Sequence, residues 1–130
     1  MRTSIAALIV GGLGFLVFGL LMLLAPRETM AAIGFVLPEG LPTTEIRAFY
    51  GGLELALAGL LLAAAALPAY RRAGLILGGV SYGGIGLSRA LGMMVDDTSG
   101  AFLWTALLIE LGLAIWFWWA WRKDGQAAAG

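Results

Sequence analysis

The sequence predicts an all-α fold: a membrane-embedded four-helix bundle of up-down topology with both termini cytoplasmic. Three observations carry that reading. Of 130 residues, 61% are hydrophobic and 12% charged, against about 45–50% and about 25% in an ordinary soluble domain. The mean hydropathy is +0.93. Four stretches approach the roughly 20 apolar residues that cross a hydrocarbon core, and the basic residues flanking them are unevenly shared between the two sides.

The spans are predicted at residues 3–25, 46–67, 73–92 and 101–121, so that 1–130 forms a single transmembrane domain. Pro26 and Pro68 follow the first two spans, where proline commonly stops a helix. Pro42-Thr43-Thr44-Glu45 offers the second span a hydroxyl N-cap and a first-turn acid, and Asp97-Thr98-Ser99-Gly100 does the same for the fourth. The first span is longer than a signal-peptide core and lacks a small-residue cleavage site, so it is read as retained. Residues 26–45 form an outer loop, with an interfacial half-helix around Met30-Ala31-Ala32-Ile33, and residues 122–130 read as a disordered tail.

Orientation follows from the basic residues. Arg2, Arg71, Arg72, Arg122 and Lys123 gather on one side of a four-span arrangement. Arg27, Arg47 and Arg89 lie on the other, among Glu28, Glu39, Glu45, Asp96 and Asp97. The first side is therefore cytoplasmic, which puts both termini inside. Trp116, Phe117, Trp118, Trp119 and Trp121 then form an inner aromatic belt, with Phe102 and Trp104 near the outer surface.

Absences restrict the chemistry. Without Cys or His there is no thiolate nucleophile, disulfide or imidazole base, and the commonest metal and haem ligands are missing. No cofactor, metal site or catalytic residue is expected. The zero formal charge makes no electrostatic case for nucleic acid. Small residues are patterned instead. Gly74, Gly78, Ser81, Ser88 and Gly92 share a stripe on the third span, and Gly52, Ala56, Gly59 and Ala63 share one on the second. Such stripes let helices approach closely in lipid, so the two central helices are expected to pack through them.

Two acids lie inside spans. Glu54 and Glu110 sit nine and ten residues in, roughly 12–14 Å below the outer ends at 1.5 Å per residue. Arg89 is about 5 Å deep on the same arithmetic, and Arg47 stands at the outer mouth. In an α-helix Arg47, Tyr50, Gly51, Glu54 and Ala58 share one face, as do Tyr82, Gly86, Arg89, Met93 and Asp96. A charge at mid-span costs about 2.5–3.5 kcal/mol on insertion scales. One reading is that the acids neutralise Arg47 and Arg89 and fix helix rotation. The other is that Arg47, Tyr50, Glu54, Tyr82, Arg89 and Glu110 line an outward-opening ligand pocket. Asp96-Asp97 and Met93-Met94 read as solvated loop acids and interface packing.

The stretch Glu45-Ile46-Arg47-Ala48-Phe49-Tyr50-Gly51-Gly52 resembles the acid-x-Arg-x-x-Tyr-Gly-Gly signature of a bacterial family of small four-helix membrane proteins, domain of unknown function 4345. Ser88-Arg89-Ala90-Leu91-Gly92 leading to Asp96, and Glu110 in the last helix, agree with it. The resemblance runs from about Gly12 to Trp121 and implies a four-helix inner-membrane protein, with no activity or ligand attached. It also implies that Arg47, Arg89 and Glu110 form the shared cluster, with Glu54 a local addition.

Four functions are weighed. The leading one is a binding or carrier protein whose outer pocket holds an amphiphile such as a lipid, quinone or isoprenoid. A proton- or cation-coupled transporter and a structural accessory subunit of a membrane complex are the alternatives, the latter with a homo-oligomer or membrane-protein partner. An enzyme working by acid–base chemistry on a lipid ranks last, because no nucleophile or metal site accompanies the carboxylates.

Overall fold

The computed structural model describes residues 2–127. Among these the protein is all-helical, in the order α1 (Arg2–Leu24), α2 (Pro26–Ala32), α3 (Leu41–Ile46), a π-helical turn (Arg47–Gly52), α4 (Leu53–Ala66), a 3-10 turn (Pro68–Tyr70), α5 (Arg71–Val95) and α6 (Ala101–Ala127). The run Leu41–Ala66 is continuous. Pro26 occupies the first turn of α2, and Pro68 opens the 3-10 turn. Proline fits both places because its missing N–H has no intrahelical partner there. The α5–α6 corner closes through Asp97, in the left-handed region at φ 48°, with Thr98 N–H bonded to Met93 O at 3.1 Å. That is the six-to-one bond of a Schellman helix end.

Two boundaries differ from expectation. The second long helix starts at Leu41, with Gly40 at its N-cap and no side-chain cap. Thr43 and Thr44 lie inside it, and their hydroxyls donate to Pro38 O (2.8 Å) and Gly40 O (3.3 Å). Pro42 in the first turn starts the helix earlier than a hydroxyl cap would. At the other extreme α6 continues through Ala127, so residues 122–127 are helical rather than a disordered tail. Side-chain ties account for this: Ser4 Oγ donates to Asp124 at 3.0 Å, and Lys123 sits 4.0 Å over the Trp119 ring. Residues 128–130 lie outside the described residues.

One core draws on α1, α4, α5 and α6, with Leu8, Phe15, Leu61, Leu75, Tyr82 and Phe117 at its centre. The Tyr82 ring is stacked between Phe15 and Phe117, at centroid distances of 4.4 and 6.0 Å. Neighbouring helices run antiparallel. Gly12 meets Leu62 and Gly51 meets Leu23, while Gly74 meets Ala64 and Gly86 meets Leu111. Ser4 and Asp124 hold the start of α1 beside the end of α6.

The small-residue stripes fare differently. On α5 the predicted stripe holds in part: Gly74 and Gly78 are buried, while Ser81 and Gly92 are half-buried and Ser88 is exposed. Gly79 and Gly86 complete the packed set, and a Cβ at any of these four glycines would press on Ala64, Phe117, Trp118 or Leu111. On the second helix the predicted stripe of Gly52, Ala56, Gly59 and Ala63 faces outward. Its packed face is Gly51, Ala58, Leu61 and Ala64. Spacing reveals that residues share a face; it does not say which face turns inward.

Among the described residues three helices are long and apolar enough to cross a membrane: Arg2–Leu24, Leu41–Ala66 and Ala101–Gly125. At 25 residues α5 matches them in length, but its glycines, Ser81, Ser88 and Arg89 dilute its apolar character.

Candidate functional site

The polar residues are positioned first by the π turn. Leu53 N–H bonds to Ala48 O, an i→i+5 contact in place of i→i+4. The extra residue in this turn rotates everything before it relative to everything after. Arg47 and Tyr50 therefore leave the face shared by Glu54 and Ala58, which the uninterrupted α-helical register had assigned to all four. Both are exposed, Tyr50 at 46%, while Gly51 is buried against Leu23 of α1. Arg47 uses its position otherwise: Nε donates to Leu23 O at 3.0 Å, one of the last-turn carbonyls that an α-helix leaves without a partner.

Beyond the π turn Glu54 is half-buried, with Gly19 of α1 leaving room beside its Cβ. Its Oε2 is buried and has no hydrogen bond among the described residues. Glu110 projects from the inward face of α6 that also carries Leu107, Ala114 and Phe117. Gly86 permits its approach, since a Cβ there would stand 3.3 Å from the Glu110 Cβ. Arg89 grips Glu110 through two parallel bonds, Nε to Oε2 at 2.8 Å and Nη2 to Oε1 at 2.5 Å. The two side chains are 25% and 12% exposed. Such bidentate charge-assisted pairing is the strongest form of protein hydrogen bonding.

Of the six predicted residues, then, the structure joins Arg89 and Glu110 directly. Glu54 and Tyr82 lie within electrostatic reach of Glu110. Tyr82 is 6% exposed and its hydroxyl donates to Gly11 O at 2.7 Å, so it serves the core rather than an open pocket. Arg47 and Tyr50 stand apart. The expected neutralisation of two acids by two arginines is met by Arg89 and Glu110 alone, because Arg47 is turned to Leu23.

Sequence reasoning missed two features. One is the π turn, for which the Gly51-Gly52 pair inside a helix was the available signal. The other is an ion pair across the connection, Arg27 Nη1 to Glu39 Oε1 at 2.5 Å, facing an open cavity that also takes in Arg47. Among the described residues no group of three or more His, Cys, Asp or Glu is placed to hold a metal ion. What the Glu54 region offers chemically is an acceptor oxygen beside an already neutralised pair.

Over residues 4–121 the chain matches the family described as Domain of unknown function (DUF4345). The chain belongs to the DUF4345 family. Comparison with curated proteins and with solved structures returns no match. Within this DUF4345 chain the matched segment contains the π turn, Glu54 and the Arg89–Glu110 pair, whereas Lys123 and Asp124 of α6 lie beyond it.

Proposed function

We propose that this DUF4345 protein is a four-pass protein of the bacterial inner membrane, a four-helix bundle with both termini cytoplasmic. On this reading it holds an amphiphilic small molecule or lipid in the half of the bundle that carries Glu54, Arg89 and Glu110. Support for a fourth crossing comes from α5. Its 25 residues extend roughly 37 Å at 1.5 Å each, it lies antiparallel along α6, and its one mid-helix cation is already paired with Glu110. The basic residues at the Ser4–Asp124 end favour that end as cytoplasmic.

The observation that carries the ligand reading is the buried, unbonded Oε2 of Glu54. An acid retained at that depth without a partner is expensive, and a ligand hydroxyl or amine would satisfy it. The test is mass spectrometry of small molecules that co-purify with the protein in mild detergent. Wild type should retain one defined amphiphile that Glu54→Leu loses. Absence of any defined molecule, or its equal retention by Glu54→Leu, would overturn the reading. The outward stripe of Gly52, Ala56, Gly59 and Ala63 favours a second reading, an accessory subunit docking a helix there, which a partner retained through the same purification would support.

A further inference from the structure

Where α1 ends and α3 begins, the connection folds into an open cavity of about 330 Å³ lined by Arg27, Glu39, Gly40, Thr43, Thr44 and Arg47. Two guanidinium groups face one carboxylate, so the cavity is electropositive. Arg47 lines the cavity and is anchored through its Nε–H, which holds Leu23 O, so its terminal amino groups are not used by that bond. Arg27 meets Glu39 through Nη1 alone, and both side chains are largely exposed. Thr44 holds Gly40 O only at 3.3 Å, so its hydroxyl proton turns toward the cavity at little cost. An adjoining cavity of about 440 Å³ shares Arg27, is walled on its apolar side by Ala31, Phe35, Val36 and Leu37, and also takes in Glu28, with Val36 96% exposed.

We propose that this cup binds a phosphate-bearing anion between Arg27 and Arg47. The planar guanidinium fork matches the geometry of phosphate oxygens, and the bond to Leu23 orients the Arg47 fork before any ligand arrives. Glu39 is the internal competitor. It occupies Arg27 in the ligand-free protein and yields because an exposed ion pair is weak. The apolar wall beside Arg27 suits the chain-bearing part of a lipid whose headgroup fills the cup, and a free phosphate presents the same oxygens. The site shares no residue with the Glu54 region and stands or falls independently of it.

The test uses the full chain in neutral detergent. Native mass spectrometry measures retention of phosphatidylglycerol, and calorimetric titration measures inorganic phosphate. Arg27→Gln and Arg47→Gln should each weaken binding about tenfold, equivalent to ~1.4 kcal/mol, and Glu39→Gln should strengthen it. Binding of phosphatidylglycerol but not phosphate assigns the cup to a lipid headgroup, and the converse assigns it to a free anion. Either supports the proposal. Arg47→Gln also removes the bond to Leu23, so Arg27→Gln and Glu39→Gln, which alter exposed groups only, carry the decision if that variant misfolds. Binding of neither probe, or binding indifferent to Arg27→Gln and Glu39→Gln, overturns it.

Discussion

Arg89 and Glu110 hold each other end to end through two parallel hydrogen bonds at 2.8 and 2.5 Å, which add a polar tie to the apolar packing of α5 on α6. The tie is positioned by an absence, because Gly86 has no side chain to keep Glu110 away. The same device recurs at Gly19, which admits Glu54 against α1. The outcomes differ: one acid acquires a cation and the other acquires nothing. That asymmetry sets a paired acid apart from an unbonded one, and the ligand proposed above would act on the second.

Removing one member of the pair leaves its partner charged in a largely water-free setting. Glu110→Gln and Arg89→Gln should each lower the stability in mild detergent by roughly 2–4 kcal/mol. The double variant Arg89→Leu/Glu110→Leu should recover most of that loss, since an apolar pair of similar volume carries no desolvation cost. Thermal melts of the three variants check it. Arg89→Lys should fall between wild type and Arg89→Gln, because an ammonium cannot reproduce the two-point grip.

Glu54 behaves in the opposite sense. Its buried oxygen makes no hydrogen bond among the described residues, so Glu54→Leu deletes an unsatisfied polar group rather than an interaction. The ligand-free protein should gain about 1–2 kcal/mol, consistent with the tendency of functional sites to reduce stability. The same thermal melts measure this. A loss comparable to that of Glu110→Gln would mean that Glu54 is structural as well.

Helical content and the long apolar segments were legible because each depends on short-range pattern, whereas the choice of Glu110 over Glu54 as the partner of Arg89 depends on contacts between helices. Composition fixes which segments avoid water, and the i, i+3, i+4 register carries Glu110 inward with Leu107, Ala114 and Phe117. The placement of Arg47 and Tyr50 was not legible. It depends on one added residue in the turn Arg47–Gly52, and helical registers on the two sides of such a turn no longer correspond. Tyr82 was misassigned for a related reason. Its phenol and its stacking surface both suit a pocket or a core, and only the neighbouring Phe15, Phe117 and Gly11 carbonyl decide between them. Helix ends were the least legible feature, since Asp124 and Lys123 hold the last turns of α6 through partners distant in sequence or on its own surface.

Glycines that look alike in sequence should respond differently to substitution. Gly78 lies against the Phe117 ring and Gly51 against the Leu23 backbone, whereas Gly59, Gly84 and Gly112 have nothing within 4 Å of a would-be Cβ. Gly78→Ala and Gly51→Ala should cost about 1–3 kcal/mol through overpacking. Gly59→Ala and Gly84→Ala should be neutral or gain up to about 1 kcal/mol from helix propensity. Parallel melts distinguish the sets, and a loss at Gly59 equal to those at Gly78 and Gly51 would show that the outward stripe is covered in the intact protein.

The proposed topology has a direct chemical readout because the chain contains no cysteine. Ser99 lies exposed in the α5–α6 corner, and Lys123 lies exposed near the opposite end of α6. The 23 positions between them (100–122) include most of a helix long and apolar enough to cross a bilayer, so Ser99→Cys and Lys123→Cys report opposite faces. On intact cells stripped of the outer membrane, a membrane-impermeant maleimide should label Ser99→Cys and spare Lys123→Cys, which becomes reactive only after permeabilisation. The reverse pattern would invert the orientation and place Arg71, Arg72, Arg122 and Lys123 outside, against the usual charge bias. Labelling of both before permeabilisation would mean that α6 does not cross the membrane, and would remove the basis for placing Glu54 and Glu110 within it.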